Sequence, residues 1–120
     1  MPWTLTHLKE KGIILVQSTG TYQLSGLSEM VKTVSEKFQE FNCNKCLIDH
    51  RKADVSLKTV PSYHRPKLYN EAGFGSNQKG AILFKEITDE HRFFEDTIRN
   101  QGWNLRVFDD HDAAMEWLEE

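Results

Sequence analysis

The strongest constraint on this chain is a set of short apolar runs that do not alternate. Ile13-Ile14-Leu15-Val16, Cys46-Leu47-Ile48 and Ala81-Ile82-Leu83-Phe84 read this way. A strand with one wet face alternates apolar with polar residues, whereas a strand covered on both faces reads as a continuous apolar run. Leu105-Arg106-Val107-Phe108 supplies a last strand, and Leu5 to Leu8 alternates weakly as an edge strand. The polar turn Lys9-Glu10-Lys11-Gly12 is short enough to make the first two strands antiparallel.

Helical periodicity fills the gaps between the strands. From Ser25 to Phe41 the apolar residues Leu27, Met30, Val31, Val34, Phe38 and Phe41 fall on one stripe, with Lys32, Ser35, Glu36, Gln39 and Glu40 opposite. Ser25 is the expected N-cap, Glu29 places an acid in the first turn, and Asn42 to Asn44 ends the helix. Leu57 to Gly73 is helical in part, with Pro61 suited to a first turn and Pro66 set to kink or split it. Thr88 opens a helix with Asp89 and Glu90 in its first turn and Phe93, Phe94, Thr97 and Ile98 inward. Gly102 stands where a left-handed C-terminal cap is needed. Asp110 opens a final helix with Ala113, Ala114, Trp117 and Leu118 inward. Strands and helices in this order give right-handed crossovers. The expectation is one α/β domain over residues 1–120: a mixed, mainly parallel sheet of about five strands, the first antiparallel at the edge, flanked by about four helices.

Composition narrows the class without naming a chemistry. The chain has 120 residues, 38% of them hydrophobic, and a net charge of -3. That length suits one domain able to bury its own core. Two cysteines are too few for a disulfide framework. No apolar stretch approaches the roughly 20 residues of a membrane helix, and Met1-Pro2-Trp3-Thr4 shows no secretion signal, so a soluble cytoplasmic protein is expected. A nucleic-acid binder would carry a clear basic excess. The modest net charge hides an uneven distribution. Arg51, Lys52, Lys58, Arg65 and Lys67 stand against Asp54 alone, while Asp109, Asp110, Asp112, Glu116, Glu119 and Glu120 close the chain with no Lys or Arg among them. Such runs are ordinary solvated faces, a basic surface that steers an acidic partner or anionic headgroup, or complementary ends for self-association.

The segments Leu47-Ile48-Asp49-His50-Arg51, Lys79-Gly80-Ala81-Ile82-Leu83, Gly102-Trp103-Asn104-Leu105-Arg106-Val107-Phe108-Asp109 and Ala113-Ala114-Met115-Glu116-Trp117-Leu118 form a recognisable set. Together they resemble the SpoIIAA-like branch of the STAS superfamily. The resemblance spans nearly the whole chain and implies a mainly parallel sheet flanked by helices. It further implies a non-enzymatic regulatory module that binds proteins, with a distant likeness to Sec14-type lipid carriers. Anti-sigma-factor antagonists of that family carry a phosphorylated serine in an Asp-Ser-Ser/Gly motif opening the helix after the Asp49 strand. Here Leu57-Lys58-Thr59 stands in that place, so the motif is absent, and Ser56 and Thr59 are the nearest hydroxyls.

The candidate site follows from the sheet. In open α/β sheets, ligands bind beyond the carboxyl ends of the strands. Asp49-His50-Arg51 is expected there, combining an acceptor, a group titrating near neutrality and a bidentate donor. The triplet is either a ligand or partner contact, or an Asp49–Arg51 pair that caps the loop. Lys58, His64 and Arg65 extend the candidate surface. Tyr63, Tyr69 and Phe74 are core or dimer contacts, or the wall of an apolar pocket. Cys43-Asn44-Lys45-Cys46 has C-x-x-C spacing but follows a helix instead of opening one, so no redox role is expected, and Cys46 is expected in the core. The histidines His7, His50, His64, His91 and His111 have no metal-site spacing, and no nucleophile elbow or phosphate loop occurs. No cofactor and no metal are expected. The leading function is a regulatory module contacting a protein or a second copy of itself. The alternative is a carrier of a small apolar (Sec14-like lipid) or anionic ligand. A small enzyme using His50 or His64 as base with Arg51 holding an anion is a third reading.

Overall fold

The apolar runs become the inner strands of one five-stranded sheet ordered β1-β2-β3-β4-β5. The structure, a computed structural model, describes residues 3–22, 24–55, 77–100 and 102–120. The strands are β1 (Trp3–Leu8), β2 (Ile13–Tyr22), β3 (Lys45–Val55), β4 (Lys79–Leu83) and β5 (Asn104–Phe108). The helices among the described residues are α1 (Leu24–Glu40), α2 (Asp89–Asn100) and α3 (His111–Glu119). β1 and β2 pair antiparallel, and β2, β3, β4 and β5 pair parallel, as the sequence implies. The expected helix over Leu57 to Gly73, with Pro61 and Pro66, lies outside the described residues.

Period-two geometry divides the sheet's residues between two cores. Ile14, Val16, Cys46, Ile48, Ile82 and Val107 pack with Met30, Val31, Val34 and Phe38 of α1 and with Phe94 and Ile98 of α2. Ile13, Leu47, Ala81 and Leu83 pack on the opposite face with Ala114 and Leu118 of α3. Adjacent Ile13 and Ile14 are both fully buried, one in each core, which is why the run does not alternate. Each such aliphatic side chain contributes about 1.5–3 kcal/mol of burial.

Helix ends follow local chemistry. Asn42 (φ 51°) ends α1, with its N–H donating to Gln39 O (3.3 Å) and the Cys43 N–H to Phe38 O (3.0 Å). Gly102 (φ 88°) ends α2 in the same way, with bonds to Arg99 O (3.0 Å) and from Trp103 N–H to Ile98 O (3.3 Å). Both are Schellman motifs. The α2 start is a capping box. The His91 N–H donates to Thr88 Oγ1 (3.3 Å), and the Thr88 N–H donates to His91 Nδ1 (3.0 Å).

Four expectations need correcting. β2 and β3 run on to Tyr22 and Val55, so the Asp49-His50-Arg51 triplet lies inside a strand. α1 starts at Leu24, which puts Ser25 within the helix and leaves no acid in its first turn. On α2, Phe93 is 56% exposed and His91 takes the inward position, because the capping bond and a stack on Phe84 hold it there. Asp110 is the N-cap residue of α3, but its side chain makes no capping bond.

Candidate functional site

The site begins with a defect in the sheet. β2 and β3 keep register as far as Gln17 opposite Asp49, and resume with Thr19 opposite Lys52. Two steps on β2 therefore match three on β3, so one extra residue sits in the His50–Arg51 stretch as a β-bulge. Gln17 and Thr19 share a face, so their partners Asp49 and Lys52 share it too. Arg51, two residues from Asp49, joins them. The bulge thus brings an acid and two consecutive cations to one face of the sheet. β4 stops at Leu83 opposite Asp49, so this happens where the sheet narrows to β1, β2 and β3.

Asp49 holds Arg51 in a fork. Arg51 Nε donates to Asp49 Oδ1 (3.0 Å) and Nη2 to Oδ2 (2.9 Å), and the Arg51 backbone N–H also donates to Oδ1 (3.0 Å). Burial raises the Asp49 pKa, but the Arg51 hydrogen bonds and charge, with a smaller contribution from His50, outweigh it and hold the carboxyl below its ordinary value. The guanidinium is correspondingly raised by the Asp49 hydrogen bond. The pair is therefore ionised and locked at neutral pH, and among the described residues nothing bonds the Nη1 edge of Arg51.

His50 faces the other way. It is 3% exposed on the α1/α2 side, with its ring tilted against Phe84 (5.7 Å between centroids). Its Nδ1 lies 2.6 Å from Ser18 Oγ, and the Ser18 hydroxyl donates to Asp49 O (3.1 Å). A hydroxyl has one hydrogen, so with that hydrogen on Asp49 O the His50 Nδ1–H is the donor to Ser18. This linkage ties β2 to β3 across the bulge, where the ladder is interrupted.

A groove of about 650 Å³ opens over this region. Asp49, Arg51, Lys52, Gln17, Thr19, Thr4 and Lys85 line it, with Trp3 and Ser18 at its floor. Of the residues expected at the site, the structure brings Asp49 and Arg51 together and turns His50 to the far side of the sheet. Lys58, His64, Arg65, Ser56, Thr59, Tyr63, Tyr69 and Phe74 lie outside the described residues. In the sequence Lys52 reads only as part of a basic run, and Lys85 carries no distinguishing pattern. Among the described residues neither lysine has an ion-pair partner. No signal local to Lys85 marks it, since it reaches the groove only because β4 ends two residues earlier.

A second cavity of about 530 Å³ lies near the opposite end of the sheet, lined by Leu8, Leu15, Leu47 and Met115 with His7, His111 and the Lys9–Lys11 turn. Cys46 is fully buried in the core. Burial pushes its thiol up, with Cys43 adding to the effect, and burial also raises Cys43. Reactive thiol pairs need the reverse shift. Among the described residues no group of His, Cys, Asp or Glu is placed to hold a metal, and no helix is long and apolar enough to cross a membrane.

Comparison with solved structures identifies the fold. The chain is similar to a protein from a DUF3478 family with a SpoIIAA-like fold from Shewanella loihica PV-4 (15% identity, TM-score 0.59, covering 97% of this chain and 91% of that one). It is also similar to the anti-sigma factor antagonist SpoIIAA in its unphosphorylated form (8% identity, TM-score 0.54, 96% of each chain). No family model matches the sequence. No curated protein matches it either. The chain therefore has a SpoIIAA-like fold.

Proposed function

We propose that this chain is a non-enzymatic regulatory module that docks an acidic face of a partner protein, or of a second copy of itself, at the cationic end of its sheet. One observation carries this reading. Arg51 is locked by Asp49 beside Lys52 and Lys85, two lysines without ion partners among the described residues. Complementary charge at such a surface steers encounter and fixes orientation. SpoIIAA, the similar structure, is an anti-sigma factor antagonist, which supports a regulatory role here. The acidic run on and around α3 would let a second copy serve as the partner.

Arg51→Glu/Lys52→Glu charge reversal tests the surface. Wild-type and variant baits of matched fold are compared in pull-downs from cell extract and in sedimentation of the purified chain. Proteins held by the wild type, or a dimer, should be lost in the variant and released by salt. Equal retention by both baits, with the same oligomeric state, refutes the surface.

The 530 Å³ apolar cavity favours a second reading, a carrier of a small apolar molecule. Native mass spectrometry of freshly purified protein tests it: a co-purified adduct supports the carrier, and a clean mass counts against it.

A further inference from the structure

We propose that the groove between β1, β2 and β3 is a binding site for a phosphate monoester, recognised as a compact dianion by Arg51, Lys52 and Lys85. This inference rests on the reading of the groove as the docking surface and names the chemical group it takes.

Charge is the first argument. Among the described residues the groove is lined by three cations and one carboxylate, Asp49, a surplus of two positive charges. A phosphate monoester brings about -1.5 to -2 at neutral pH and three acceptor oxygens. A single carboxylate would leave one positive charge uncompensated.

Geometry is the second. Planar recognition of a carboxylate uses the guanidinium fork. Here Asp49 already occupies the Nε and Nη2 edge of Arg51. What remains is the Nη1 edge and two ammonium groups, which act as point charges and impose no planar geometry. Lys52 comes from β3 and Lys85 from the chain just after β4, and both line the groove with Arg51, which suits an acceptor with oxygens in several directions. Thr4, Gln17 and Thr19 are exposed along the same wall and supply hydroxyl and amide partners to a polar ligand body.

The bulge is the third. In an unbroken strand Lys52 would face away from Arg51. The extra residue in β3 turns both onto one face, and the Ser18 linkage holds that arrangement. About 650 Å³ lies within the range of small-ligand sites.

The test is an amide-shift titration of the full chain with methyl phosphate, methyl sulfate and acetate. Methyl sulfate copies the tetrahedral shape with a single negative charge. Methyl phosphate should shift the Thr19, Arg51, Lys52 and Lys85 amides and bind at least about tenfold tighter than the other two at pH 7.5. Its affinity should fall towards that of methyl sulfate at pH 5.5, as the second phosphate ionisation reverses near pH 6. Lys52→Gln/Lys85→Gln should weaken it by about tenfold or more while leaving the remaining spectrum in place. No shift with methyl phosphate, or equal affinity for methyl sulfate, overturns the proposal. A hexose phosphate and a phosphoserine peptide then separate the sources, the tighter one naming a free metabolite or a modified side chain. The docking reading fails separately, if charge reversal leaves partner capture and self-association unchanged.

Discussion

Ser18→Ala is the most informative single perturbation of the site's foundation. Ser18 and His50 are each 3% exposed, and the hydroxyl makes two contacts across the bulge, at 2.6 Å to His50 Nδ1 and 3.1 Å to Asp49 O. Alanine removes one oxygen and leaves almost no cavity, so packing loss is negligible. What remains is the buried His50 Nδ1 and the Asp49 carbonyl, each having lost its contact with Ser18. A typical intramolecular hydrogen bond contributes about 1 kcal/mol net, and stranding a buried polar group costs about 1–3 kcal/mol, so the expected loss is about 2–3 kcal/mol. For a chain of this size that lowers Tm by about 8–12 °C. Thermal and urea unfolding followed by circular dichroism measure it, with exposed Thr19→Ala as a control expected within about 0.5 kcal/mol of wild type. The Arg51 and Lys52 amide resonances should move in Ser18→Ala, because the linkage positions the bulge. A melting point within about 2 °C of wild type would show that the bulge is held by the strand ladder alone, and the argument for a built-in arrangement would fail.

The other predictions concern the charge pair and three backbone positions. The Asp49 carboxyl is held below its ordinary value, so between the folded and unfolded pKa values the unfolded chain binds more protons. The stabilisation is complete above the unfolded value near pH 4 and is lost as pH falls through the folded one. Asp49→Asn should therefore flatten the acid limb of a stability–pH curve below about pH 4, and an unchanged limb refutes the assignment. Gly102→Ala should cost about 1 kcal/mol in urea unfolding, because φ is 88° and no atom lies within 4 Å of the new Cβ, so the whole cost is backbone conformation. Asn42→Gly, at φ 51°, should be neutral or stabilising by the same reasoning. At Gly80 an added Cβ meets nothing closer than 3.4 Å, at Cys46 Sγ and Leu105. Gly80→Ala should thus stabilise by roughly 0.5 kcal/mol through reduced unfolded-state entropy, and a loss above about 1 kcal/mol would show that β4 has no room to give.

What the sequence made legible is what depends on near neighbours. The apolar runs announce strands buried on both faces because Ile13 and Ile14 each need a core, and the structure supplies two. Gly102 announces a left-handed cap because only glycine takes that φ freely. The misses arise where pairing overrides composition. Nothing in Gln17 to Tyr22 or Lys52 to Val55 reads as a buried strand, yet both segments are strands because each satisfies the other's backbone hydrogen bonds. His91 was unremarkable in sequence, since capping boxes are read from Glu or Gln at that position. Here an imidazole nitrogen accepts the bond, and the ring gains a stack on Phe84 with centroids 3.8 Å apart. Asp49 and Arg51 were legible as a pair because two residues along a strand share a face. His50 between them reads in sequence as part of the same surface, but alternation turns it to the other side.

The cationic groove shows why site chemistry is harder to read than fold. Arg51 and Lys52 are adjacent, and alternation alone would send them to opposite faces. Their convergence depends on one extra residue relative to β2, a property of the pairing that neither strand's own composition encodes. Lys85 joins because β4 is shorter than β3, again a relation between strands. The lengths that create the groove also decide its sign. If β4 matched β3 and the ladder were unbroken, Lys52 would turn to the α1/α2 side, and an unpaired ammonium buried there would cost several kcal/mol. The bulge avoids that cost and leaves Lys52 in water beside Arg51. The charge surplus is therefore a consequence of how the sheet ends, and the Ser18–His50 linkage that stabilises the ending also fixes where the cations stand.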